Sequence, residues 1–386
     1  MLVDEIGESP ILALIDRIFE MRRSGEKVLG LHIGEPDFDT PAGIREAAYR
    51  AMNEGWTHYV SAQGLPDLRE AIAARLASRH RLPATAGDVV ILPAKFAIYA
   101  SMLATLASQH EVLLPDPTYL FDQPVRLAGG RPVYVPLRRD FSLDPEALER
   151  AVTPRSRVLI LVSPGNPTGR VMRREEVRAA LAIARDHHLT VVSDETYESL
   201  IYEGTHVAPA SIAEFADVPV VTIGSFSKVY AMTGWRAGFA VAPPDVRTRL
   251  VKVMEHTLTC IPPFIQKACL WGLANAGPDE ERFRELFRAR REQLLSRLDD
   301  LPGVSYVRPE GAFYVFPRYA LDWSSVDFTR RLLEEERLAL VPGVSFGPSG
   351  EHHVRISYSS PAEVLDEGML RLGRFLERHG ATRGER

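Results

Sequence analysis

Residues 158–197 read VLILV SPGNPTGR VMRREEVRAALAIARDHH LTVVSDETY, and their periodicity decides the class of fold. The runs 158–162 and 190–193 are apolar and β-branched without polar alternation, so each predicts a strand covered on both faces. Between them, 173–188 sets Val177, Ala180, Leu181 and Ala184 at i, i+3, i+4 and i+7, one stripe of an amphipathic helix. The same alternation continues outward, with strand candidates at 112–114, 133–135, 218–223 and 238–241. Buried strands separated by helices predict an α/β fold: a large domain whose mostly parallel sheet carries helices on both faces.

That domain is expected over 40–278. The breakers Asn275-Ala276-Gly277-Pro278 close it, and a charged helix is predicted over 279–299. Beyond lie strand signals at 303–307, 312–316, 338–341 and 353–357 and a helix over 326–337, which predict a smaller α+β domain across 279–386. Residues 1–39 form an arm whose helix, 11–23, has no sheet partner nearby. It is expected to join the small domain or pack on another subunit.

Composition narrows the function. With 386 residues the chain suits two domains, and its 45% hydrophobic and 25% charged residues are ordinary for a soluble protein. The net charge of −5 and dispersed Lys and Arg leave no nucleic-acid footprint. Cys260 and Cys269 are too few for a disulfide framework and lack zinc spacing. The acidic start, Asp4 and Glu5 among the first residues, is not a signal peptide. The longest apolar stretch, 89–115, is broken by Lys95, Gln109, His110 and Glu111, short of the ~18 residues of a membrane span. A cytoplasmic protein without membrane or nucleic-acid partners is expected.

Three loops carry chemistry. Ile223-Gly224-Ser225-Phe226-Ser227-Lys228 runs on to Gly234-Trp235-Arg236 directly after an apolar strand. Hydroxyls and a guanidinium fork suit a phosphate, and a lysine held among cations loses its proton and attacks carbonyls. Ser193-Asp194-Glu195-Thr196-Tyr197 ends another strand with a carboxylate and a phenol three residues on. Ser163-Pro164-Gly165-Asn166-Pro167-Thr168-Gly169 fixes the backbone around one asparagine. Taken singly, each also reads as a solvated loop lysine, an acidic strand cap and a plain turn.

As an ordered set they resemble the fold-type-I pyridoxal-phosphate (PLP) enzymes, closest to the class I/II aminotransferases of aspartate/aromatic type. Gly34-Glu35-Pro36-Asp37-Phe38, Tyr59 with Gly64-Leu65-Pro66, Gly311-Ala312-Phe313-Tyr314 and Val354-Arg355-Ile356-Ser357 extend the resemblance over nearly the whole chain. It implies that Lys228 is the Schiff-base lysine that shuttles the substrate proton, and that Asp194 pairs with the cofactor's ring nitrogen. Tyr197 and Asn166 would hydrogen-bond the ring's phenolic oxygen, and Tyr119 would stack on its face. Ser225, Ser227 and Arg236, with the backbone N–H groups of Ala94 and Lys95, would hold the phosphate. Tyr59 would reach the phosphate of a neighbouring subunit, which implies a homodimer with shared sites. Arg355 would clamp the α-carboxylate, and Gly34 would close over the substrate. The implied substrates are an amino acid and a 2-oxo acid; no metal is implied.

Two departures stand out. Bulky Phe96 follows Ala94-Lys95 where relatives carry small residues, and Asp122 occupies a position near the substrate mouth. Glu351-His352-His353 lacks the i, i+4 spacing of a helical metal site, and His187-His188 suits a helix C-terminus. Trp56 and Trp271 read as packing residues. The absence of a Gly-x-Gly-x-x-Gly or Walker loop removes support for nicotinamide or ATP. Transamination is the leading expectation. Elimination, cyclisation, racemisation or decarboxylation on the same scaffold is the alternative, since fold alone does not choose the bond. A PLP-binding sensor without turnover is the remote one, because about forty residues precede the core motifs.

Overall fold

The computed structural model describes residues 6–7 and 10–381. Its centre is a seven-stranded sheet: β1 (Val89–Ile91), β2 (Glu111–Asp116), β3 (Arg131–Pro136), β4 (Ser156–Val162), β5 (Thr190–Asp194), β6 (Val220–Ser225) and β7 (Gly238–Val241). The spatial order is β1-β7-β6-β5-β4-β2-β3. β3, β2, β4, β5 and β6 run parallel to one another, whereas β7 runs antiparallel to both β6 and β1. The link from β6 to β7 holds only the short helix Phe226–Val229 and a 3-10 turn, so the chain reverses beside β6 instead of crossing over.

Alternate residues of each strand feed opposite layers. Val158 and Ile160 join Val112, Leu114 and the helices Ala94–Thr105 and Pro244–Glu255. Leu159 and Leu161 join Leu113 and all four residues of the predicted stripe, on the helix Arg174–Asp186. Leu181 in that stripe is fully buried; truncation to alanine there carries the usual core penalty of about 2–5 kcal/mol.

The stretch 89–115, nearest to a span by sequence, resolves into β1, the helix Ala94–Thr105 and most of β2. Strand β1 was absent from the expected set. No helix among the described residues is long and apolar enough to cross a membrane. The C-terminal part packs the long helix Gly277–Leu298 and the helices Ser325–Glu336 and Ala362–Arg378 around Phe283, Phe287, Phe313, Phe328 and Phe375. The expected single strand over 338–341 is two: Leu338–Ala339 pairs with Leu29–Gly30, and Val341–Pro342 pairs with Val354–Ser357. Two different edges recruit the two halves, so the run cannot stay in one ladder. The N-terminal helix Pro10–Arg23 buries Leu14, Ile18 and Met21 against Leu333 and Ala339 of this same part.

Candidate active site

β4, β5 and β6 are adjacent and parallel, so their C-terminal ends share one edge of the sheet, ~4.8 Å apart. The loops starting at Ser163, Glu195 and Phe226 therefore leave side by side, where open α/β sheets hold ligands. β1 points the same way, since β7 is antiparallel to both β1 and β6, and it delivers the start of the helix Ala94–Thr105 to that edge. The reversal into β7 brings Arg236 back beside Ser225, because Gly238 pairs with Ser225.

These ends enclose a cavity of about 330 Å³. It is lined by Lys228, Asp194, Tyr197, Asn166, Tyr119, Ser225, Ser227, Arg236, Ala94 and Lys95, with Gly34 and Arg355 supplied from outside the sheet. Of the residues expected to hold the cofactor or substrate, Tyr59 does not line this cavity: it is 87% exposed.

Lys228 donates from Nζ to the Gly34 carbonyl at 2.5 Å. Burial, then the charge of Arg355, draws its pKa down to about 8. Asp194 is buried and accepts the Thr196 backbone N–H at 3.0 Å. Among the described residues no cationic side chain bridges it, and burial raises its pKa. Tyr197 shares a 2.7 Å hydrogen bond with the Tyr314 hydroxyl, and burial keeps its phenol neutral. Arg355 is buried, donates to Asn166 Oδ1 at 3.2 Å and to the His32 carbonyl at 2.6 Å, and stacks on the Tyr314 ring at 4.6 Å. Its Nε has no partner, and no carboxylate pairs with it among the described residues.

At the other end, Ser225 caps the helix Phe226–Val229, its Oγ accepting the Ser227 N–H. Arg236 adopts a left-handed backbone with φ 57°, which turns its guanidinium back to donate to the Thr233 carbonyl at 2.9 Å. The first N–H groups of the helix Ala94–Thr105, Ala94 and Lys95 included, have no intrahelical acceptor and suit an anion. Phe96 leaves this helix start intact: half-buried, it lies beside Tyr99 against an apolar cluster and does not line the cavity. The Lys95 side chain reaches the Leu120 carbonyl at 2.9 Å and lies 4.7 Å from the Tyr119 ring centroid. Burial by surrounding protein lowers its pKa to about 8; its side chain still faces the open cavity, where water offsets part of that shift.

The set fits PLP on its own chemistry. A buried carboxylate without a cation suits a protonated ring nitrogen, free helix N–H groups suit a phosphate, and a readily deprotonated amine suits an aldehyde.

Asp122 does not line this cavity: it is bonded to Gln123 in a separate pocket with Tyr134, and its charge acts on Lys95. His353 stacks on Phe316 at 4.9 Å. Trp56 and Trp271 pack against an apolar cluster that includes Ile44, Leu68 and Tyr230. Tyr314, Thr196 and Thr233 lie in motifs read from the sequence but carried no expected role, and His32, Ile33 and, from the N-terminal helix, Ile15 had no local signal. Tyr314 explains Gly34, since a Cβ there would lie 2.3 Å from the Tyr314 hydroxyl.

A family model described as aminotransferase class I and II matches residues 26–372. The chain is 36% identical to an aspartate aminotransferase of Pyrococcus horikoshii, covering 94% of each chain. It is also 36% identical to an aromatic-amino-acid aminotransferase of Thermococcus litoralis, covering 94% of this chain and 95% of that one. A solved aspartate aminotransferase from Thermus thermophilus with maleate superposes at TM-score 0.91, with 36% identity over 97% of this chain and 98% of that one.

Proposed function

The chain belongs to the class I and II aminotransferases, and on that footing we propose which residues perform the transfer and which amino acid it takes. The enzyme moves an amino group between an amino acid and a 2-oxo acid, with PLP as cofactor. When bound, PLP supplies an electron-accepting ring that stabilises negative charge at the substrate Cα.

The observation that carries the assignment of roles is the convergence of Lys228, Asp194 and Arg355 on one cavity. Lys228 anchors the cofactor and afterwards takes the Cα proton and returns it, as its pKa near 8 suits. Asp194 holds the protonated ring nitrogen, and Tyr197 and Asn166 hydrogen-bond the phenolic oxygen. Tyr119 would stack on the ring, while Ser225, Ser227, Arg236 and the N–H groups of Ala94 and Lys95 would hold the phosphate. Arg355 grips the α-carboxylate with its fork, and Gly34 and its neighbours exclude water. Tyr59, Tyr49 and Met52 are exposed apolar side chains, which supports a homodimer in which Tyr59 serves the partner's site. The large domain is assigned to 40–278, with 1–39 joining 279–386. The free thiols Cys260 and Cys269 support a cytoplasmic setting.

For the amino acid, the cavity offers among the described residues one cation beyond Lys228 and those assigned to the phosphate and the α-carboxylate. The Lys95 ammonium donates to a single carbonyl and keeps donors free. A substrate with a second carboxylate, of the aspartate type, uses it. Ile11, Ile15 and Ile33 line the same cavity and favour a second reading, an aromatic or aliphatic side chain.

The test compares kcat/KM for aspartate, phenylalanine and alanine on the wild type and Lys95→Met. A charge-assisted hydrogen bond of about 1.5–3 kcal/mol predicts that aspartate alone loses about 10- to 100-fold. Phenylalanine leading on the wild type, with ratios unchanged by the substitution, establishes the second reading instead.

A further inference from the structure

Glu195 follows Asp194 directly but does not line the catalytic cavity. Its Oε1 accepts the Ser193 hydroxyl at 2.9 Å, and its Oε2 stands 2.7 Å from His206 Nε2. Both side chains of the pair are only 3% exposed. The His206 Nδ1 is buried without a partner. The His206 ring meets His80 edge-on at 4.9 Å, and His80 Nε2 lies 2.9 Å from Glu198. Arg75 and Arg79 then hold both Glu198 and Glu280. A void of about 30 Å³, lined by Glu195, Glu198 and Thr222, adjoins Thr196 and Ser225. A polar layer thus underlies the floor on which Asp194 sits.

A carboxylate sealed from water needs a countercharge. Ser193 offers a neutral hydroxyl, and the Thr196 N–H is committed to Asp194. The arginines serve Glu198 and Glu280, which leaves His206 as the cation in contact with Glu195. The charged and titratable groups facing His206 are Glu195 at the end of β5, Glu198 in the turn beyond it, and Arg79 and His80 from the helix Pro66–His80. Burial disfavours the imidazolium, but Glu195 outweighs it and the His206 pKa is raised. An unneutralised Glu195 would act on the adjacent Asp194 as a like charge, pushing it towards the protonated form.

We propose that Glu195 and His206 form a buried ion pair that positions and electrically isolates Asp194, keeping its negative charge available for the cofactor's ring nitrogen. The inference rests on the reading of Asp194 given above. His206 is a positioning residue, since it touches neither substrate nor cofactor.

The test measures the PLP dissociation constant of the apoprotein by ultrafiltration, which needs no turnover. His206→Asn keeps a donor but not the charge, and raises that constant about tenfold, from a like-charge effect of about one pKa unit on Asp194. The double variant Glu195→Gln/His206→Asn restores a neutral hydrogen-bonded pair and returns the constant to within about threefold of wild type. A packing role alone predicts the reverse, with the double variant no better than the single one. Proton NMR of the wild-type apoprotein, which depends on no variant folding, shows the His206 imidazole titrating above an unperturbed histidine. His206→Asn binding within about twofold of wild type, an unrestored double variant, or a His206 imidazole that titrates no higher than an unperturbed histidine overturns the proposal. Asp194→Asn in the same assay separates the levels. If it weakens binding while His206→Asn does not, the ion-pair proposal alone fails; if neither does, the reading of Asp194 fails with it.

Discussion

Replacing Arg355 tests the substrate end of the site most directly. Its guanidinium is 5% exposed, donates to Asn166 and to the His32 carbonyl, and leaves Nε unpaired. A buried cation held only by neutral acceptors is a binding site for an anion. Arg355→Met keeps the length and removes the fork. Two charge-assisted hydrogen bonds to the α-carboxylate, at about 1.5–3 kcal/mol each, predict a loss of about 3–6 kcal/mol, or roughly 10²- to 10⁴-fold in kcat/KM. Arg355→Lys keeps the charge without the fork and falls between, about 10- to 100-fold down.

Stability falls by less than the full cost of the freed acceptors. Removing an unpaired buried charge is often neutral or favourable, against about 1–3 kcal/mol for each acceptor left without its donor, Asn166 Oδ1 and the His32 carbonyl. The assay is a single-turnover half-reaction, followed through the bound cofactor's absorbance, with an amino acid and with the corresponding amine lacking the carboxylate. The loss is confined to the amino acid. A loss below about tenfold in Arg355→Met, or an equal loss for the amine, refutes the assignment.

Two further predictions concern titration. The Lys228 amine attacks the cofactor aldehyde only when neutral, so PLP uptake by the apoprotein accelerates up to about pH 8 and then levels off; acceleration continuing to pH 10 shows an ordinary lysine instead. Burial, then Arg22 and Arg355, lowers the His32 pKa from 6.5 to about 4, so the folded chain resists a proton that the unfolded chain accepts. That stability is present above pH 6.5 and lost as pH falls towards 4, by up to about 3 kcal/mol. Urea unfolding of the apoprotein across this window shows the slope, and His32→Gln flattens it; an unchanged slope assigns the loss to other groups.

Much of the fold was legible because local period reports burial. The stripe on 173–188 and the apolar runs flanking it are short-range patterns, and the strand-helix-strand unit follows from them. The loops at Asn166, Asp194 and Lys228 were legible for a related reason: strand ends are local, and a parallel sheet collects them at one edge. β1 was missed because its three residues, Val89–Ile91, merge with the apolar helix that follows. The split over 338–341 was missed because which edge a strand joins is settled by distant partners.

The site divides in the same way. Residue types and their spacing determined by themselves that a lysine, a carboxylate, an asparagine and a phosphate-suited loop follow strands of an α/β domain. Tertiary structure alone decided what meets them. Lys228 reaches Gly34 across 194 positions, Arg355 reaches His32 across 323, and Tyr197 meets Tyr314 across 117. It also decided that Phe96 packs half-buried outside the cavity, that Asp122 lines a separate pocket, and that Glu195 and His206 seal together beneath it. Backbone propensity and hydrophobic period act over a few residues, whereas burial, pKa and hydrogen-bond partners depend on chain segments brought together only by packing.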